Sequence, residues 1–156
     1  MKIDRADLVT RYALGEFSVN VLSVKRTLVE KILGALKDSY HPDPVAQLSN
    51  RIRHLYDICL ILRQKTFQDF VQSQAFQELV ARCLAEEKQS PLNAAWLDHD
   101  LSQAPLFKQF STWLPRLDAT YRGLFSDLVY GTLPPMEEIA ERLSLIQDHL
   151  LPPQKA

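Results

Sequence analysis

Nine prolines against only four glycines in 156 residues set the tightest limit on what this chain can fold into. Proline lacks a backbone N–H and biases its predecessor away from the α region, so it marks where helices stop. Few glycines leave little material for phosphate-cradling loops, repeated tight hairpins or a large barrel. Helices punctuated by proline are the expected outcome. A hydrophobic fraction of 46% with 24% charged residues is ordinary for a globular domain and argues against disorder or a fibrous repeat. The net charge of -1 argues against a protein that coats nucleic acid by bulk charge.

Hydrophobic periodicity divides the chain further. Phe17-Ser18-Val19-Asn20-Val21-Leu22 alternates apolar and polar residues, and Gly15 is placed to turn an earlier strand, so residues 1–23 are expected to form a small β-hairpin segment. From Val24 the period becomes helical, with Leu28, Ile32 and Leu36 following at spacings of four. The expected fold class is mainly α: a bundle of about five to six helices over residues 24–156 behind that hairpin. His41-Pro42-Asp43-Pro44 ends the first helix, and a second is expected from Val45 to Arg63. A third follows Thr66, with a break near Ser73. Pro115 and Pro135 suit the first turns of later helices. Cys59 and Cys83 lie in apolar helical stretches and form no CxxC pair, which predicts buried free thiols in a reducing compartment. The charged start of the chain and the absence of any long apolar run predict a cytoplasmic protein without a membrane span.

The near-zero net charge conceals an uneven distribution. Residues 24–65 hold eight Lys or Arg and four Asp or Glu, whereas residues 66–100 hold two and six. These are either solvated faces of different helices or a basic surface for a phosphate-bearing ligand. Within the basic segment, Lys31 lies beside Val24, Leu28 and Ala35 on a helical wheel, at the border of the apolar arc. Its ammonium either snorkels to water over an apolar stem or reaches into a cleft to hold a phosphate. Arg26 and Glu30, four apart, suit a surface ion pair. In Arg53-His54-Leu55-Tyr56-Asp57, the spacing puts Arg53, His54 and Asp57 on one side of the second helix. Asp57 there either closes an intrahelical bridge with Arg53 or orients a reacting group, with Arg53 and His54 supporting it.

Other candidates are weaker. Asp98-His99-Asp100 has metal-ligand residue types, but consecutive side chains diverge. Phe107, Phe110, Trp113, Tyr121, Phe125 and Tyr130 repeat at helical spacing, as a core stripe does. GxSxG, P-loop, GxGxxG and HExxH motifs are all missing from the sequence.

Val21-Leu22-Ser23 with Arg26-Thr27-Leu28 and Glu30-Lys31, followed by Arg53-His54-Leu55-Tyr56-Asp57, resembles the carboxy-terminal half of the AbiEii-type nucleotidyltransferases, toxins of bacterial type IV toxin–antitoxin and abortive-infection systems. The Tyr121–Tyr130 stretch, the Gly131-Thr132-Leu133-Pro134-Pro135 turn and the final helix are similar to that family's tail. The resemblance spans about residues 10–150. It implies transfer of a nucleotide from an NTP to an acceptor such as the 3′ end of tRNA. Carried over residue by residue, it implies active-site roles for Lys31 on the phosphates and Asp57 on the reacting groups. Arg26 and Arg53 would be further nucleotide contacts, and His54 would support them from behind. None of these is assigned to a metal.

The family's amino-terminal half carries a Gly-Ser motif and metal-binding acidic residues, whereas this sequence contains no Gly-Ser dipeptide and no glycine before Gly15. The resemblance therefore implies a truncated or split unit without turnover of its own. Mg2+ would be used only if the other half were supplied by a partner polypeptide. The expected partners are that separate nucleotidyltransferase half or an antitoxin, with NTP and tRNA as ligands. The alternative is a non-catalytic helical module that binds another protein. Lys31 and Asp57 are expected to face one cleft between the first two helices.

Overall fold

In the computed structural model, residues 24–89, 94–125 and 133–150 are described. Helix α1 occupies residues 24–39 and buries Leu28, Ile32 and Leu36 almost completely, the stripe marked by their spacing. It ends where Pro42 and Pro44 exclude further helix, and Asp43 then caps α2 (Pro44–Asn50) by accepting a hydrogen bond from the Ala46 amide. Helices α3 (Ile52–Leu62), α4 (Lys65–Val71) and α5 (Gln74–Lys88) follow with short links. Two 3-10 turns, Ala94–Asp98 and Leu101–Gln103, lead to α6 (Pro105–Lys108) and α7 (Phe110–Thr120), which runs into a π-helical turn at Tyr121–Phe125. Helix α8 (Met136–His149) closes the chain, with Glu137 and Glu138 in its first turn and His149 in its last, the order its dipole favours.

The expected bundle of five to six helices behind a β-hairpin needs correction. There are eight α-helical segments and no strand among the described residues, so the architecture is helical throughout them. Residues 1–23, on which the hairpin was expected, lie outside the described residues, and the hairpin is not retained.

The extra segments have local causes. The helix expected from Val45 to Arg63 breaks at Arg51, whose φ of -119° and ψ of 30° leave the helical region. This break turns both Val45 and Leu48 of α2 and Ile52 and Leu55 of α3 into the core. Ser73 divides α4 from α5, as its position suggests, by accepting from the Phe76 amide. Pro115 does not open a helix: it sits inside α7, exposed, with the turn continuing past it. The apolar partners Trp113 and Leu117 on either side of it are buried, and that packing outweighs the lost backbone bond.

The core joins these elements through α3, which packs on α4, α8 and the π-helical turn. Leu55, Ile58, Cys59 and Leu62 of α3 meet a core that includes Ile139, Leu143 and Ile146 of α8. Phe110, Trp113 and Tyr121 are buried, as a core stripe requires, and the Tyr121 hydroxyl donates to the Pro134 carbonyl at 2.7 Å. Both cysteines are free and buried. Among the described residues no helix is long and apolar enough to cross a membrane.

One charged contact ties α8 to α3. Arg63 donates to Glu138 from Nε at 2.7 Å and Nη2 at 3.0 Å, and the Cys59 thiol donates to the same carboxylate at 2.9 Å. Bonding to Arg63, and then to Cys59, pushes the Glu138 carboxyl down to about 2, while burial pushes the Cys59 thiol up to about 12. A carboxyl depressed on folding stabilises the fold above its unfolded value near pH 4.5 and loses that contribution as the pH falls toward about 2. Glu138→Gln is accordingly expected to cost about 1 kcal/mol at neutral pH. Urea unfolding of both proteins should show this gap narrowing on acidification below about pH 4.5.

Candidate functional site

Helices α1 and α3 meet along a polar seam whose rungs run in opposite directions along the two helices. Lys31 Nζ lies 2.9 Å from Asp57 Oδ2 at one end. At the other, Arg51 Nη1 lies 3.6 Å from Asp38 Oδ1. Between them, the His54 ring lies against Gly34, where a Cβ would stand 3.7 Å from Nδ1. Residues 31, 34 and 38 recur on one face of α1, and residues 57, 54 and 51 on one face of α3 and its cap. Opposite chain directions then pair the earliest of α1, Lys31, with the latest of α3, Asp57, and the latest, Asp38, with the earliest, Arg51.

The Lys31–Asp57 rung stands at the rim of the core, with each side chain 22% exposed. Arg53 Nε approaches the same Asp57 oxygen at 3.7 Å from a side chain 78% exposed. The two readings of Asp57 thus coexist: it accepts the intrahelical cation loosely and the cation of α1 closely. Lys31 and Asp57 face each other across the two helices and are in direct contact.

Asp38 is buried, and burial raises its carboxyl above the usual range, partly offset by Arg51 and His54. His54 shifts the other way: burial lowers its imidazole below the ordinary value, and the Lys31 and Arg51 charges lower it further. The His54 Nδ1 is shielded from solvent and has no hydrogen-bond partner. Sequence reasoning missed Asp38, Arg51 and Gly34. Their spacing along each helix was visible, but the antiparallel register that pairs them was not.

Arg26 belongs elsewhere. Five residues from Lys31, it projects from a different side of α1, donating from Nε to Glu30 at 2.8 Å and pairing with Glu86 of α5. That clasp borders a cavity of about 480 Å³ whose lining also includes Gly34, Lys37, Arg51 and Trp96. Lys31, Asp57, Arg53 and His54 are therefore brought together, and Arg26 is not. Asp98-His99-Asp100 does not converge either. His99 stacks on Tyr40 with ring centroids 4.7 Å apart, and Asp100 caps the turn at Ser102. Among the described residues no group of three or more His, Cys, Asp or Glu side chains could hold a metal ion.

With this helical scaffold and its basic-acidic seam described, the sequence comparison gives the class. The chain matches the family described as nucleotidyl transferase AbiEii toxin, type IV TA system, over residues 3–143. It belongs to that family, which places it among toxin–antitoxin proteins and implies an antitoxin partner. No curated protein and no solved structure matches it.

A double-mutant cycle with Lys31→Met and Asp57→Asn tests whether the rung is a real coupling. Partial burial on both sides predicts a coupling of about 1 kcal/mol by urea unfolding. It should shrink only modestly at about 1 M salt, because a contact at this depth is screened less than a surface pair. A coupling indistinguishable from zero would make the contact incidental to stability.

Proposed function

We propose that this chain supplies the carboxy-terminal helical part of an AbiEii-type nucleotidyltransferase, acting in the cytoplasm. In this reading Lys31 holds the phosphates of an NTP, Arg53 adds a second cation from solvent, and Asp57 organises the reacting groups. His54 supports the pair from within the seam, and the acceptor is the 3′ end of tRNA. The observation that carries the reading is the 2.9 Å contact of Lys31 with Asp57, with Arg53 sharing the same oxygen. Two cations converging on one carboxylate oxygen form a geometry that an anionic phosphate oxygen can also satisfy. Arrival of a phosphate would take Lys31 from Asp57 and free the carboxylate.

The residues around Asp57 do not fit a divalent cation. Its Oδ2 already serves Lys31 and Arg53, and among the described residues no further carboxylate, His or Cys completes a ligand set. We assign the metal-binding carboxylates that accompany Mg2+ in this chemistry to a separate nucleotidyltransferase half, because the sequence carries no Gly-Ser dipeptide. Alone, the chain is assigned no turnover. Arg26, held by Glu30 and Glu86, is assigned to joining α1 with α5, not to the nucleotide.

The test is incubation with labelled NTPs, Mg2+ and total tRNA, with and without a partner polypeptide that bears Gly-Ser and paired acidic residues. Label is expected to move only with both polypeptides, and Lys31→Ala or Asp57→Ala should reduce transfer at least about 100-fold, the scale of losing a group that acts on the transition state. Arg26→Ala should lower thermal stability more than transfer. Transfer surviving at full rate in Lys31→Ala and Asp57→Ala would sink the site assignment. Absence of transfer with every partner, together with capture of an antitoxin, would favour a non-catalytic interaction module.

A further inference from the structure

We propose that the seam between α1 and α3 is an acid-sensitive latch, in which protonation of His54 loosens the contact between the two helices. The inference is independent of nucleotide transfer and rests on what surrounds one imidazole. His54 is the central rung, against Gly34 of α1, and its shielded Nδ1 has no hydrogen-bond partner. The charged groups facing it are Lys31 and Asp38 from α1, Arg51 from the link before α3, and Asp57 from α3 itself. Lys31 is already matched by Asp57, and Arg51 by Asp38. These four charges cancel, Arg53 adds a solvated cation 3.7 Å from Asp57 on the outside, and a neutral imidazole adds no further charge within the seam. An imidazolium would add a cation between Lys31 and Arg51 and place an N–H at Nδ1 where no acceptor waits. Separating the helices admits water to that N–H and relieves the surplus charge.

The direction of the pH effect follows from which state binds the proton more readily. The folded His54 sits below its ordinary value, so the unfolded or opened seam takes up the proton first. Stability from the closed seam is complete above about pH 6.5 and is lost as the pH falls through the folded value. Asp38, raised by burial, acts in the opposite sense nearer the carboxylate range, and Glu138 acts lower still. The interval from about pH 7 to pH 5.5 therefore separates His54 from these two carboxyls, and the His54→Gln variant separates it from the other three histidines.

The full chain can be followed by imidazole NMR from about pH 8 to pH 4.5, with hydrogen exchange of the α1 and α3 amides measured alongside. His54 is expected to titrate below about pH 6.5. Over the same interval, exchange in both helices, corrected for its intrinsic pH dependence, should accelerate by up to roughly tenfold per pH unit, the limit set by one proton taken up on opening. In His54→Gln this acceleration should vanish, while the exchange of α7 stays unchanged in both proteins. A His54 titration at or above the ordinary value overturns the proposal. So does an acceleration of equal size in His54→Gln. Should that variant fail to fold, the titration and exchange of the wild-type chain still decide the matter. Acceleration confined to helices other than α1 and α3 would also refute it.

Discussion

The burial of Leu55, Ile58, Cys59 and Leu62 along one face of α3 fixes the rotation of that helix, and with it the partners of every charged group the helix carries. With Ile52 these make five core residues, and the helix cannot turn about its axis without exposing them, at about 1.5–3 kcal/mol for each large apolar side chain. Once the rotation is set, Asp57 and His54 face α1, and Arg63 faces α8. The two polar contacts of α3 are consequences of this apolar anchoring, because the energies of rim ion pairs are too small to oppose it.

The two ends of α3 are held by different chemistry. At its carboxy-terminal end, Glu138 accepts from Nε and Nη2 of Arg63 and from the Cys59 thiol, so a buried sulfur and an exposed guanidinium share one acceptor. At the amino-terminal end, the seam with α1 sets two ion pairs on either side of a neutral ring. The first arrangement keeps its charge over the physiological range, since Arg63 and Cys59 hold its carboxylate ionised. The second contains a group whose ordinary titration falls within that range, which makes it the adjustable contact. The residues attributed to nucleotide handling sit on the adjustable side.

Much of the fold was legible in the residues. The Leu28, Ile32 and Leu36 stripe, the break at Ser73, the stop at Pro42 and the burial of Phe110, Trp113 and Tyr121 all follow from local pattern, while Phe107 is half-buried and the side chains of Phe125 and Tyr130 lie outside the described residues. Pro115 was misread because a proline inside an apolar stripe can be carried by the packing of Trp113 and Leu117, which no local rule weighs. The break at Arg51 was likewise hidden, since an uninterrupted helical pattern gave no reason for it until both halves had a core to face. Of the candidate residues, Lys31, Arg53, His54 and Asp57 could be named from spacing. Arg26 was named with them from the family resemblance, and 100° per residue carries it to another side of α1, where it pairs with Glu30 and Glu86.

What the sequence by itself determined is the helical class, the position of the polar residues on each helix and the membership of the AbiEii family. Those depend on proline placement, periodicity and residue order, which are properties of short segments. Only the tertiary structure decided that α1 and α3 run in opposite directions at a register pairing Lys31 with Asp57 and Asp38 with Arg51. Register is a property of two helices packed together, and it is set by the fit of buried side chains that belong to different helices, which the pattern of either helix alone does not contain.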